Sequence, residues 1–324
     1  MIHFFMKRLF VIFLIFFVLL FFEKPAIAQQ DVKFSHYMFS TMSYNPGYTG
    51  VEGFTKLTLM YRSNWSGYRS DYDGRVHQGG SYFSLNAPLL RANSGAGFYV
   101  LNDQVGFLNT LELQGSYAYH LKVKDYKVSF GLQLGIVTKS FDKSKYKVIH
   151  PGEPLLKSGE SQTRPDMSAG LYLQGEKLFA GLSYRHLLDT EFDWGLNGFD
   201  SKLVPQYFLI GGYHITFMYD FVLTPSFYFT TDLDHYTFNV SALLEYKQQM
   251  WGGVAYRDSE GVSLLVGYSF LKDKSLKFGY SLDYVFFGQN AKAPTSHELM
   301  LSYKLPMGTA KNKKIIRTPR FRLN

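Results

Sequence analysis

The stretch LELQGSYAYHLKV, Leu111–Val123, decides the fold. Its odd positions are Leu111, Leu113, Gly115, Tyr117, Tyr119, Leu121 and Val123. Its even positions are Glu112, Gln114, Ser116, Ala118, His120 and Lys122. The first set is apolar or aromatic apart from Gly115, and the second is polar or small. A period of two belongs to a β-strand whose two faces meet different surroundings. The run is long. Soluble strands average about 5–6 residues, whereas a tilted membrane strand needs about 9–11.

The pattern recurs along the chain. It is found in KLTLMYR from Lys56, KVSFGLQLGIVTK from Lys127, KLFAGLSYR from Lys177 and YTFNVSALLEYK from Tyr236. GVSLLVGYSF from Gly261 and SLKFGYSLDYVFF from Ser275 repeat it again. In a soluble sandwich the apolar face would pack on a second sheet. In a membrane barrel it faces lipid, and the polar face fills the lumen. Glu112, Glu245, Lys277 and Asp283, set among Gly and Ser, suit a wet interior. Tyr and Phe number 25 and 30, yet mean hydropathy is −0.12. That balance fits a barrel, where only every second residue meets lipid.

Fourteen strands are predicted, starting near Lys56, Gly80, Gly95, Asn109, Tyr126, Met167, Lys177, Gln206, Phe221, His235, Met250, Val262, Leu276 and His297. An even count brings both ends of the barrel to the periplasmic side. Short links such as VKDYK and GEK then become periplasmic turns. The long links Ser63–Gly79, Phe141–Asp166 and Leu188–Pro205 become extracellular loops. The fold class expected is all-β: a transmembrane antiparallel β-barrel of about 14 strands, preceded by a cleaved signal peptide.

The amino-terminal residues carry that signal. Lys7 and Arg8 precede an uncharged apolar run, Leu9–Phe22, of 14 residues. The run is shorter than the roughly 20 residues of a spanning helix. Ala26 and Ala28 then form an A-x-A cleavage end. The domains predicted are residues 1–28 as signal peptide, 29–54 as a periplasmic or lumenal segment, 55–306 as barrel and 307–324 as a basic periplasmic tail. There is no cysteine, so a disulfide framework, a thiolate metal site and a cysteine nucleophile are excluded. The net charge of +8 resides in the signal peptide and the tail, which leaves residues 29–310 neutral. A charged end on an exported chain argues against nucleic acid as a partner.

Isolated motifs give no chemistry. HELML at His297 lacks the second His of a zinc helix and alternates like a strand. Asp71-Tyr72-Asp73-Gly74 lacks the closing Glu of a calcium loop and reads as a turn. Ser183 and His186, three apart on a strand, should face opposite sides and not form a nucleophile–base pair. Gly95-Ala96-Gly97 suits close packing or a tight turn rather than a dinucleotide fingerprint. Tyr61, Trp65 and Tyr68 read as an aromatic girdle at the membrane surface. No enzyme, cofactor or metal is expected.

Five ordered motifs carry a resemblance. QQDVKFSHYMFSTMSYNPGYTG (Gln29–Gly50) resembles the mature start of the PorP/SprF family, with its YMF and NPAYAG-like elements. YRSNW (Tyr61–Trp65), RPDMSAGLYLQGEKLFAGLSYRHLL (Arg164–Leu188), WGGVAYR (Trp251–Arg257) and SHELMLSYKL (Ser296–Leu305) are similar to later family segments. Gly47 and Thr49 replace the usual alanines, and the Gly-Ala-Pro expected after WSGY is absent. The resemblance implies an outer-membrane barrel of the type IX secretion system, which either supports export or surface attachment of a partner adhesin or acts in the core machine. Its partners would be other secretion components, a large secreted surface protein such as a gliding-type adhesin, and outer-membrane lipid. It implies neither catalytic residues nor a small-molecule substrate. The alternative function is a general or fatty-acid-type porin.

Two segments are candidate partner-binding sites. Tyr44, Asn45, Pro46, Gly47 and Tyr48 form an aromatic, turn-forming element ahead of the first strand, suited to plug the lumen or to dock on a partner. Arg317, Arg320 and Phe321 lie in the basic tail, suited to lipid headgroups or an acidic partner.

Overall fold

A computed structural model describes residues 33–67, 69–70, 74–75, 78–141, 161–193, 201–258, 260–286 and 293–305. The predicted signal peptide, the basic tail with Arg317, Arg320 and Phe321, and the residues Tyr68 and Asp71–Asp73 lie outside them.

Fourteen antiparallel strands close into a barrel. They are β1 (Lys56–Ser63), β2 (Gln78–Leu89), β3 (Ser94–Val105), β4 (Leu108–Val123) and β5 (Tyr126–Phe141). Next come β6 (Ser161–Gln174), β7 (Leu178–Arg185), β8 (Gln206–Tyr213, continued by Ile215–Phe217), β9 (Phe221–Thr231) and β10 (Tyr236–Tyr246). The last four are β11 (Met250–Arg257), β12 (Gly261–Phe270), β13 (Leu276–Val285) and β14 (Thr295–Lys304). Every strand pairs with its sequence neighbours, and β1 pairs with β14 in the register Lys56↔Lys304 to Ser63↔His297. In hydrocarbon no water can satisfy an open edge, so ring closure is what makes the sheet stable there.

The alternation falls as expected, with the apolar set outward. Leu132 and Leu134 are 59% and 62% exposed, while Gln133 between them is 1% exposed. Along Leu111–Val123, Glu112, Gln114, Ser116 and Ala118 are buried and Tyr117, Tyr119, Leu121 and Val123 are exposed. A soluble protein would have these sets reversed; here the large apolar side chains form the surface.

All fourteen predicted strands are present. The largest difference in position is at β6, which starts at Ser161 instead of near Met167. Its first residues, SQTRPD, hide the alternation. They pair with β5 alone, because β7 joins only from Ala169 onward. Pro165 thus lies where one side of the strand has no partner, a position that tolerates its missing N–H. Proline also explains the break in β8. Pairing is interrupted at Tyr213 and His214, opposite Thr224 and Pro225, and then resumes in the same register.

The short links, including residues 124–125, 175–177 and 247–249, share the end of the barrel where β1 begins and β14 finishes. The strand ends that flank the long links, Phe141 and Ser161, and Arg185 and Gln206, lie at the other end. Short turns mark the periplasmic rim and long loops the extracellular one. At the outer rim Glu191–Phe192 and Ser201–Lys202 form a small ribbon. It folds Phe192 inward against Val137 and Leu203, beneath the Lys139 ammonium.

Because the outer surface is solvated by lipid, Leu134→Arg in the middle of β5 is expected to lower barrel stability by about 2–4 kcal/mol. Urea unfolding in bilayers checks it, and an unchanged midpoint would contradict a lipid-facing position.

Candidate functional site

The lumen is filled by the chain's own amino-terminal segment. Residues 33–54 run inside the barrel as a strap of short turns: Tyr37–Phe39 and Pro46–Tyr48 are 3-10 turns and Thr41–Tyr44 is one α-helical turn. Phe34, Tyr37, Met42, Tyr44, Tyr48 and Val51 are buried against lumenal Met60, Tyr82, Tyr99, Tyr172, Tyr228 and Trp251. The protein therefore has a hydrophobic core inside the barrel and a second apolar surface outside it. The interior is packed rather than wet around Glu112 and Asp283, which are 3% and 5% exposed. Glu245 and Lys277, paired at 3.5 Å, remain partly exposed.

The predicted element Tyr44–Tyr48 lies at the centre of this packing. Asn45 caps the Pro46–Tyr48 turn: its Oδ1 accepts from the Gly47 N–H at 2.8 Å. Proline at the first position of the turn suits its fixed φ. The Asn45 Nδ2 donates to the carbonyls of Leu171 at 2.9 Å and Leu182 at 3.3 Å, which face each other across β6 and β7. The Ser183 hydroxyl donates to the Tyr44 carbonyl at 2.6 Å. Tyr44 stacks on Tyr228, and Tyr48 meets Tyr172 edge-on. Where the wall comes closest to the turn it is glycine. A Cβ on Gly131 would lie 2.2 Å from the Pro46 carbonyl carbon, and one on Gly170 would lie 2.2 Å from Asn45 Oδ1. Lower down, Gly95 lets the strap pass in the same way, with Thr49 O where its Cβ would be. All five residues, Tyr44 to Tyr48, are buried in this arrangement.

Charged groups hold the upper part of the strap. Arg62 Nη1 is 2.5 Å from Asp283 Oδ2 and 3.2 Å from Glu298 Oε2, and it donates to Ser35 Oγ at 2.7 Å. Glu298 accepts from the backbone N–H groups of Ser35 at 2.7 Å and His36 at 2.9 Å, and its Oε1 lies 2.6 Å from His36 Nδ1. The Ser35 hydroxyl donates to Asp283 at 2.7 Å. Arg257 donates to the Phe34 carbonyl and pairs with Glu260 at 2.6 Å. In the turn after β11, burial pushes the Glu260 carboxyl up, but Arg257 and then Arg62 outweigh it and hold it down at about 2. His36 meets Trp251 edge-on, and Phe39 packs on the same indole. Buried charges are stable only when paired and hydrogen-bonded, and here the strap's backbone completes the set.

A second network lies on the opposite wall. Arg185 meets Glu112 at 2.9 Å, Tyr99 donates to Glu112 at 3.1 Å, and Gln133 donates to Tyr99 at 2.9 Å. Gln114 donates to Asp166 at 2.8 Å, beside His186. His186 corrects one expectation. It follows β7 with φ of 56°, which turns it inward, so it is buried on the same side as Ser183 and not opposite it. Ser183 is occupied by the Tyr44 carbonyl, and His186 stands against Asp166.

The motifs quoted from the sequence converge here. YRSNW supplies Arg62, WGGVAYR supplies Trp251 and Arg257, SHELML supplies Glu298, and the long middle motif supplies Asp166, Ser183 and Arg185. HELML, which lacks the second His of a zinc helix, contributes its Glu as the principal acceptor for the strap. The signal that could have found it is a carboxylate on the polar face of a membrane strand. His120 and Lys127 line the periplasmic rim, where Lys127 Nζ donates to the Val51 carbonyl at 2.8 Å. Among the described residues, no group of three or more His, Asp or Glu could hold a metal ion.

Two substitutions test the strap. Glu298→Ala leaves Arg62 short of a buried partner and is expected to cost about 3–5 kcal/mol. Gly131→Ala forces the Pro46 turn off the wall and is expected to cost about 1–3 kcal/mol. Thermal unfolding in detergent and limited proteolysis of the strap check both. Strap cleavage unchanged from the native protein in both variants would contradict these contacts.

Residues 26–303 match the family described as type IX secretion system membrane protein PorP/SprF. No curated protein matches the chain. Among solved structures, the chain is similar to the CymD monoaromatic hydrocarbon channel, at 13% identity over 83% of this chain and 92% of that one, with TM-score 0.49. It is similar to the Ralstonia pickettii toluene transporter TbuX at 11% identity over 82% and 94%, with TM-score 0.48. It is also similar to the Acinetobacter baumannii outer membrane protein Omp33 at 7% identity over 78% and 98%, with TM-score 0.45. These are distant likenesses of shape, and the assignment rests on the family match and on the closed barrel with its lipid-facing surface. The chain belongs to the PorP/SprF family of type IX secretion system membrane proteins, and it is a β-barrel of the outer membrane of a Gram-negative bacterium.

Proposed function

We propose that this barrel is a plugged adaptor of type IX secretion, which supports the export or surface attachment of one large partner protein of the gliding-adhesin kind. The observation that carries the reading is the filled lumen. A diffusion channel needs a continuous aqueous path, whereas residues 34–51 of this chain pack on lumenal side chains from many strands. Their polar atoms are bound by charged wall residues, so the strap is built into the fold. A porin function would require removing a buried core and leaving Arg62, Glu298 and Asp283 without their strap contacts, at several kcal/mol.

Tyr44, Asn45, Pro46, Gly47 and Tyr48 then act by setting the shape of the plug. The tail residues Arg317, Arg320 and Phe321 are assigned to an acidic partner or to lipid headgroups, the two arginines supplying the charge. Export rather than catalysis is the work proposed.

Quantitative proteomics of the cell surface and medium in a deletion strain tests the reading. Loss of one large protein supports a dedicated adaptor. Loss of all type IX cargo moves the protein to the core machine, and unchanged cargo returns it to the porin alternative. Purified protein in liposomes is expected to conduct little, and an open-channel conductance would overturn the plug. Asn45→Ala combined with Pro46→Ala is expected to impair cargo export while the barrel still inserts. Normal export from that variant would remove the role given to the turn.

A further inference from the structure

We propose that the strap is threaded through the barrel from the outside inwards, so that its amino-terminal end is presented at the cell surface to the exported protein. The direction follows from which wall residues meet which part of the strap. Lys33 Nζ donates to Thr237 Oγ1 at 2.5 Å, and Thr237 is the second residue of β10, just below an outer loop. The Phe34 carbonyl is held by Arg257, the last residue of β11. Ser35 and His36 are held by Asp283 and Glu298, close to the outer ends of β13 and β14. Arg62, one residue from the outer end of β1, completes that set.

The other end of the strap meets the opposite rim. The Gly50 N–H donates to Asn86 Oδ1 at 2.6 Å, near the inner end of β2. The Val51 carbonyl accepts from Lys127, the second residue of β5. Glu52 pairs with Lys56, where β1 begins at the inner rim. The chain thus descends the whole lumen between Lys33 and Lys56 before it turns back up as β1.

Counting strands places the two barrel ends at the periplasm, and that holds for Lys56 and Lys304. It does not hold for the strap, whose first described residue is at the loop rim. Lys33 is only partly buried there, whereas Phe34 to Tyr37 are closed off. The inward-folded ribbon at Phe192 sits over β5 and β6, away from the β10–β14 wall that receives Lys33. A partner that binds this end meets it from outside. The partner assignment rests on the secretion reading above, while the threading direction stands independently of it.

The absence of cysteine makes the test direct. Lys33→Cys is reacted on intact cells with a membrane-impermeant maleimide. Leu233→Cys in the outer loop at residues 232–235 and Lys124→Cys in an inner turn are the controls. Lys33→Cys is expected to label on intact cells to within about twofold of Leu233→Cys. Labelling only after outer-membrane permeabilisation, as for Lys124→Cys, or no labelling of Lys33→Cys, overturns the proposal. A benzophenone maleimide attached from outside and irradiated is then expected to crosslink the same large protein that the deletion strain loses. A crosslink to a periplasmic protein, or none, overturns the partner assignment. If the deletion strain loses no cargo while the strap still labels from outside, the secretion reading fails and the threading stands.

Discussion

Every peptide group placed in hydrocarbon must find its hydrogen bond within the protein. That constraint governs this structure. It requires β1 to meet β14, and it leaves the apolar side chains facing outward. Once the ring is closed, its inner face is lined by Arg62, Arg185, Glu112, Asp283 and Glu298. The protein then faces a second demand, because those charges need partners. The strap supplies part of the answer. Its backbone N–H groups at Ser35 and His36, its hydroxyl at Ser35 and its carbonyl at Phe34 all bond to the charged wall.

The two halves of the strap are held by different physics. The upper part, near Ser35 and His36, is electrostatic and hydrogen-bonded. The middle, from Tyr37 to Tyr48, is aromatic packing on Tyr172, Phe208 and Tyr228, with glycines at the wall where backbone approaches backbone. A fixed charge network gives one register and direction, and the aromatic packing adds buried area. Together they make the segment part of the fold and not a loose tether.

Much of the barrel was legible in the sequence. Leu111–Val123 announces its two faces because a strand alternates strictly and lipid rewards an uninterrupted apolar set. Fourteen starts could be placed for the same reason. The start of β6 is hidden because Arg164, Pro165 and Asp166 break the alternation in a stretch that pairs with β5 alone. The orientation of His186 is not legible, because a left-handed backbone breaks alternation without any glycine to signal it. Asn45-Pro46-Gly47 was readable as a turn, since asparagine caps and proline starts such turns, but its neighbours were not. Gly131 and Gly170 carry no sign of what lies opposite them.

By itself the sequence determined the strand period, the strand number, the absence of cysteine chemistry and the motifs of its family. These are local properties, set by residues two positions apart or by short ordered words. Only the tertiary structure decided that the lumen is filled, that Glu298 of the last strand binds Ser35 and His36, and that the strap descends from the loop rim. Those contacts join residues more than 200 positions apart. They exist only after closure brings the polar faces of all strands around one axis, and no local pattern encodes which polar side chain will stand across from which.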